Sequence, residues 1–523
     1  MWPWIVLAAV LLALTLYDVT QRKHAILRNF PIVGHLRYWL EAVGPELRQY
    51  IVTDNNEERP FSRDQRRWVY ASSKRENNYF GFGSDNEMEQ TSSYLIIKHQ
   101  VFPLSVPHPG EPAYDAMYRA PCAKILGGAR NRAKAFRPPS IVNVSGMSFG
   151  SLSGPAVEAL NRGCRIADCL QSTGEGGVSP YHLHGGELVW QVGTGYFGCR
   201  ETDGGFSMAR LKERVAASPQ IRAIEIKLSQ GAKPGVGGIL PRAKLSEEIV
   251  AIRGIPPDRD CVSPAVHSAF RDADSLLDFA EAIAAETGLP VGIKSAVGDS
   301  HFWRDLARLM ASGGRGVDFI TIDGGEGGTG AGPLVFADHV ALPFKVAFGR
   351  VHKIFVEEGV HQRVVFVGSG KLGFPETALF AFALGCDMIA VGREALLSIG
   401  CIQAQRCHTN HCPTGITTQN RWLVRGVDPV LKSSRLANYI VTLRKEILTL
   451  SRACGVVHPA LVHAGQLELL DGRFGSKTVA ELFGYEPGYG VPGGEDQEAI
   501  RRLMMSGREA DGTERIDPPH HLR

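Results

Sequence analysis

VVFVGSGKLGFPETALFAFALGCDMIAVGREAL, residues 364–396, carries two turns of one structural beat. VVFVG (364–368) is a short β-rich apolar run that stops at Gly368-Ser369-Gly370. FPETALFAFALGC then reads as a helix, and MIAVG (388–392) is a second apolar run that stops at Gly392-Arg393. Apolar runs of roughly 4–8 residues bounded by glycine and alternating with helical stretches are the pattern of parallel strands joined by crossover helices.

The same beat begins at Pro138. Eight candidate strands follow one another: IVNVS (141–145), DCLQS (168–172), AIEIKL (223–228), DCVSP (260–264), PVGIK (290–294), DFITI (318–322), VVFVG (364–368) and MIAVG (388–392). Helix-like segments such as SGPAVEALNRGCRIA and HFWRDLARLMASGG separate them. Eight such alternations predict an α/β fold, a (β/α)8 TIM barrel. The rival, an open doubly wound sheet, calls for G-x-G-x-x-G after the first strand, and none is there.

In a barrel of this kind chemistry sits just past the strand ends. Strand one leads to Ser145, Met147 and Ser148, and strand two to Thr173 and Glu175. Strand three carries Lys227, Gln230, Lys233 and a PGVGG loop, while strand four leads to Ser263, Pro264 and His267. Strand five ends on Lys294, and strand six on Asp323, Gly324, Gly325 and the rest of GGEGGTGAG. Gly368-Ser369-Gly370 and Gly392-Arg393 follow the last two strands. Glycine turns at those two places form the usual phosphate site of this barrel, with backbone N–H groups and an arginine facing the anion.

Directly beyond lies GCIQAQRCHTNHCPTGITTQ (400–419), which holds Cys401, Cys407 and Cys412 in C-x5-C-x4-C spacing. Neighbouring thiolates suit an iron–sulfur cluster or zinc. Three without a fourth favour a 3Fe–4S cluster; zinc would recruit His408 or His411, and unligated thiols are the plain alternative. A metal centre beside a nucleotide-phosphate turn implies electron transfer.

At 523 residues, 44% hydrophobic and 21% charged, the chain has room for a barrel plus extensions. Its 59 glycines fall in runs that let backbone approach a ligand. A net charge of +3 without an RNA- or DNA-binding motif predicts no nucleic-acid partner. Ten cysteines without small-domain spacing read as reduced thiols in a cytosolic compartment.

Met1 to Tyr17 is uninterruptedly apolar, with Trp2, Trp4 and Tyr17 at interfacial positions, and Arg22, Lys23, His24 and Arg28 follow. This predicts a single-pass anchor in the cytoplasmic membrane with the catalytic body in the cytoplasm. A signal peptide would need a preceding basic segment and a small-residue cleavage site. Ala25 to Tyr50 is either a segment lying on the lipid surface or a packed helical arm. The expected domains are the anchor (1–24), an N-terminal extension (25–137) with a strand-like run at Ser93–Lys98, the barrel with its cysteine motif (138–425), and a C-terminal helical extension (426–523) whose polar tail ending IDPPHHLR is expected to be disordered.

SGMSFGSLS (145–153), STGEGG (172–177), IKLSQGAKPGVGGILP (226–241), IDGGEGGTGAGP (322–333) and the cysteine run together resemble the FMN-binding synthase domain of the glutamate synthase family. They stand in the family's order, over roughly Pro138 to Gln419. The resemblance implies FMN held beside a 3Fe–4S cluster, with ammonia condensing onto 2-oxoglutarate and hydride from the flavin giving L-glutamate. By motif, Cys401, Cys407 and Cys412 match the cluster ligands. Glu175, Gln230 and Lys233 match positions near flavin and 2-oxoglutarate, with Lys227 close behind. The strand-end residues named above surround the FMN, where Lys294 would stabilise negative charge on the reduced ring.

The chain also departs from that family. It starts with an apolar span and offers no glutaminase nucleophile, so a separate glutaminase subunit or free ammonia is expected to supply nitrogen, and ferredoxin or a reductase subunit to supply electrons. The family's Y-D-G-G-T-G-A-S stands here as Gly325-Glu326-Gly327-Gly328-Thr329-Gly330-Ala331-Gly332. The flavin chemistry is therefore better specified than the substrate. Another 2-oxo acid, an N-substituted amine, or a reverse dehydrogenation feeding quinones remains as an alternative, with a non-enzymatic electron relay behind it.

Overall fold

Short aliphatic runs close into a barrel because both faces of each strand are covered, by helices outside and by side chains within. The computed structural model describes residues 2–21, 24–48, 52 and 58–506. Its strands in chain order are β1 (Tyr94–Ile97), β2 (Val142–Val144), β3 (Gln171–Ser172), β4 (Leu188–Val192), β5 (Ile221–Lys227), β6 (Ile239–Leu240), β7 (Cys261–Val262), β8 (Val291–Ser295), β9 (Phe319–Asp323), β10 (Val365–Ser369), β11 (Met388–Val391), β12 (Leu467–Leu470) and β13 (Ser476–Thr478). β2, β3, β4, β5, β8, β9, β10 and β11 form the closed barrel, and β11 returns to β2 through Ile389 opposite Val142. β8, β9 and β10 are buried along their whole length, as a parallel sheet covered on both faces requires.

The expected count of eight strands holds, but one member was misplaced. DCVSP (260–264) supplies β7, which pairs antiparallel with β6 in a small two-stranded sheet outside the barrel. The barrel strand missing from the sequence reading is LVWQV, β4, paired parallel with β3 and β5. AIEIKL is therefore the fourth barrel strand, and Ser263, Pro264 and His267 lie in the long β5–β8 connection.

The chain divides into two units, residues 1–67 and 68–523. In the second, the hairpin joining Leu126 to Phe136 by paired backbone bonds of 2.8 and 3.1 Å closes the lower end of the barrel. Cys122 and Leu126 pack there with Ala223, Phe319, Val365 and Met388, residues at the starts of four strands. Lys124 donates to Asp387 at 3.1 Å, and Arg132 grips Asp318 and Glu281 at 2.9 and 2.6 Å.

The expected helical C-terminal extension is mixed. Helix Pro429–Ala453 is capped by Asp428, which accepts from the amides of Val430 and Leu431. It lies across helix Gly154–Ala167, where a Cβ on Gly163 would come within 2.7 Å of Leu436. Leu436, Ile440, Leu443 and Ile447 are fully buried, each contributing about 1.5–3 kcal/mol. Beyond them β12 pairs with β1 and β13 in an antiparallel sheet, so the strand expected at Ser93–Lys98 joins the two ends of this unit.

The first unit holds helices α1 (Trp2–Thr20), α2 (Ala25–Asn29) and α3 (Gly34–Leu47). α1 is long and apolar enough to cross a membrane. The Arg22–Lys23 part of the basic flank and the tail from residue 507 onward lie outside the described residues.

Candidate active site

Eight parallel strands put eight C-terminal ends at one mouth, and the residues singled out in the sequence meet there. β5 and β8 are in register at Lys227 and Lys294, so the two lysines leave neighbouring strands at the same level. Lys227 pairs with Glu175 at 2.8 Å and donates to the Gln230 side chain at 3.3 Å. Gln230 donates to the Gly328 carbonyl at 2.7 Å, and Lys233 to that of Ala331 at 3.1 Å. Both thus hold the glycine loop that follows β9.

Lys294 faces Asp323 at 3.6 Å and Ser145 at 3.5 Å. Asp323 accepts from the Gly231 amide at 2.9 Å. Gly324 donates to Ser369 at 2.8 Å and Gly325 to Leu342 at 2.9 Å. Gly370 has φ +126° and lies against Gly324. Gly392 borders Ser145, and the Arg393 guanidinium donates to the Glu326 carbonyl. Met147 and Ser148 lie against Gly174.

Gly231 is a tight joint in this assembly. A Cβ there would sit 1.9 Å from the Gly324 carbonyl oxygen. Gly231→Ala is therefore expected to destabilise the protein by about 1–3 kcal/mol or more, read as a lowered thermal midpoint.

Burial works against the charge on Glu175, but Lys227, then Lys233 and Arg253, outweigh it and hold the carboxyl below its usual range. It is a carboxylate at neutral pH. Burial, aided by Lys227, lowers Lys233 to about 8. Glu225, on β5 behind the lysines, accepts from Gln191 at 3.1 Å and is pushed up by burial against the opposing pull of Lys294.

Several mouth residues escaped the sequence reading. Arg253 ends helix Glu247–Arg253, is 5% exposed, and donates to Ser148 and to the Phe149 carbonyl at 3.3 and 3.1 Å. Its Nε has no hydrogen-bond partner among the described residues, and neither has the buried Ser172 hydroxyl beside Gly146. His267 does reach the site, although from the connection rather than a strand end. Its Nε2 meets the Lys227 carbonyl at 2.9 Å; a carbonyl only accepts, so Nε2 carries the hydrogen. Nδ1 then accepts from the Tyr196 hydroxyl at 3.1 Å, whose oxygen accepts the amides of Ser268 and Ala269. Burial lowers His267 to about 4, so the ring is neutral and fixes the backbone that carries Lys227.

Cys401, Cys407 and Cys412 lie on one loop after helix Arg393–Ser398. Burial raises the Cys412 thiol, but donors from Thr414 and Thr417 more than reverse this and hold it below its ordinary range. Buried Lys244, also missed, donates to the carbonyls of Ser151 and Cys407 at 2.6 and 3.3 Å and so ties this loop to the mouth. Among the described residues no three His, Cys, Asp or Glu side chains are gathered around a common point. The donor set is three thiols on one loop, soft ligands suited to iron–sulfur chemistry.

A family model described as a conserved region in glutamate synthase matches residues 128–457. The chain is 36% identical over 469 residues to the glutamate synthase large subunit-like protein YerD of Bacillus subtilis, covering 84% of this chain and 89% of that protein. It is 34% identical over 321 residues to the archaeal glutamate synthase (NADPH) of Methanocaldococcus jannaschii, spanning 60% of this chain but only 59% of that relative. Among solved structures, a mutant flavocytochrome b2 with pyruvate bound superposes with a TM-score of 0.42 at 13% identity over 82% of this chain and 91% of that one, a distant likeness of fold alone. The match over residues 128–457 takes in every strand of the barrel and the cysteine loop, and the chain belongs to the glutamate synthase family.

Proposed function

We propose that this protein is a membrane-anchored, FMN-dependent oxidoreductase that reductively aminates 2-oxoglutarate with ammonia to L-glutamate. The observation that carries the reading is the charge arrangement at the mouth: Lys227, Lys233 and Arg253 surround the Glu175 carboxylate. A dicarboxylate needs such cations, and an ammonium or iminium group needs the carboxylate.

FMN would lie with its phosphate on the backbone amides of Gly368-Ser369-Gly370 and Gly392-Arg393. Ser145, Met147, Ser148, Asp323, Gly324 and Gly325 would border the ring, and Lys294 would face its negative charge. The unpartnered Ser172 hydroxyl and the unpartnered Arg253 Nε fit such a guest. When bound, the flavin supplies hydride. The chain supplies the rest. Lys233 and Arg253 hold the carboxylates of the 2-oxo acid, and Gln230 orients it. Glu175 takes a proton from the nitrogen as ammonia adds to the ketone, passes it to the departing oxygen and faces the cationic imine, while Lys227 keeps that carboxylate ionised. His267 and Tyr196 fix the strand end from behind.

By donor chemistry Cys401, Cys407 and Cys412 would hold a 3Fe–4S cluster, fed by ferredoxin or a reductase subunit. α1 would keep the body on the cytoplasmic face of the membrane. Nitrogen would arrive as free ammonia or from a separate glutaminase subunit.

A second reading keeps the cofactors and changes the 2-oxo acid. It is favoured by the departing loop at Gly325–Gly332, because that loop contacts Gln230 and Lys233 directly. A panel of 2-oxo acids, each supplied with ammonium and reduced protein, separates the two. Glutamate from 2-oxoglutarate as the best product supports the first; a different preferred acid supports the second.

Lys233 also makes a pH prediction. Below about 8 it is protonated and binds carboxylate; above, it is neutral. KM for the 2-oxo acid should be flat at lower pH and rise as pH climbs past that value. A charged hydrogen bond to carboxylate contributes roughly 1.5–3 kcal/mol, so Lys233→Ala should raise KM about ten- to a hundredfold at pH 7 and abolish the alkaline rise. An unchanged KM profile in the variant would remove Lys233 from substrate binding.

A further inference from the structure

We propose that α3 is a membrane-surface helix whose apolar face lies in the headgroup layer of an anionic bilayer, held at a fixed angle to α1 by Asp18. The inference rests on the reading of α1 as a span and adds a second, differently oriented contact with the same membrane.

Leu36, Leu40, Val43 and Leu47 recur at helical spacing, and Trp39 and Val33 flank them. In a soluble arm such a stripe is covered. Here Val33 is 71% exposed, Leu36 56%, Trp39 60%, Leu40 47% and Leu47 41%. Phe30, at 64%, extends the surface toward α2. Cationic side chains border the stripe: Arg28 before it, Arg37 beside it in a 3.4 Å pair with Glu41, and Arg48 at its end. An exposed apolar face, a tryptophan and basic flanks are the composition of a helix lying in the plane of a charged lipid surface.

The corner between the helices identifies the occupant. Asp18, in the last turn of α1, is fully buried. Its carboxylate accepts from the Ile32 amide at 2.9 Å and from His35 Nε2 at 2.9 Å, which binds the end of α1 to the start of α3. Gln21 closes the turn, donating to the carbonyls of Asp18 and His24 at 3.0 and 2.8 Å. The apolar stripe is thus continuous in sequence with the span and tied to its end. A lipid surface is the partner that necessarily lies beside the end of a span.

The test uses the full chain in vesicles of phosphatidylethanolamine and phosphatidylglycerol, with a photoactivatable benzophenone amino acid replacing Leu12, Leu40 or Glu41. Lipid adducts are expected from positions 12 and 40, and their loss at 41, which faces away from the stripe. Adducts at 12 without adducts at 40 would overturn the surface helix and leave the anchor standing. Adducts at neither would overturn both. Equal yields at 40 and 41 would mean the stripe does not orient the helix, and a cross-link from 40 to protein would make this face a docking site for the barrel or a second copy; either result defeats the proposal.

Discussion

Glu175→Gln is expected to lower the rate of amino-acid formation by ~10²–10⁴-fold while FMN content stays near wild type. The substitution keeps size and one acceptor oxygen, so the 2.8 Å contact with Lys227 can persist. It removes the negative charge and the proton acceptor. Space around the side chain is set by glycines: a Cβ on Gly193 or Gly238 would come within 2.8 or 2.5 Å of Glu175. A near-isosteric amide fits where a bulkier residue would not. The cations hold the native carboxyl below its usual range, so it is ionised, a partner for positive charge and a transient proton relay rather than a standing acid. Activity within about tenfold of wild type would take Glu175 out of proton transfer.

Cys407→Ser should have a comparably large effect of a different kind. Protein purified anaerobically is expected to contain iron and acid-labile sulfide and to show a paramagnetic signal in the oxidised state. The variant should lose all three, and with them turnover driven by a one-electron donor, while its FMN stays reducible by dithionite. A serine hydroxyl is a poor replacement for a soft thiolate as a ligand to cluster iron. Zinc in place of iron in the wild-type protein would contradict the assignment. So would full donor-driven turnover in the variant.

The alternation of apolar runs and helices was enough to read the barrel, because a parallel strand buried on both faces leaves a local signature. LVWQV escapes a local reading because it follows Gly185-Gly186 without the helical stretch that marks the other strands. DCVSP carried a strand's local composition, and only tertiary pairing shows that it turns back on β6 instead of entering the barrel. Glu175, Lys227, Gln230 and Lys233 were legible because their motifs are long. Arg253 and Lys244 were not. Each sits on a short helical turn whose sequence, SEEIVAIRG or PRAKLS, reads as a solvated surface, and only the packing of distant loops buries it. β1 and β12 pair from opposite ends of the chain, which no local pattern reports.

The most direct measurement is anaerobic rapid mixing of the photoreduced full-length protein with 2-oxoglutarate, ammonium, or both, following flavin absorbance and amino-acid product. Cations that hold a dicarboxylate and a carboxylate that relays a proton as ammonia adds predict fast reoxidation only when both substrates are present, with glutamate formed in proportion to flavin oxidised. Flavin that stays reduced with both, or that reoxidises equally fast without ammonium and yields no amino acid, would contradict the account.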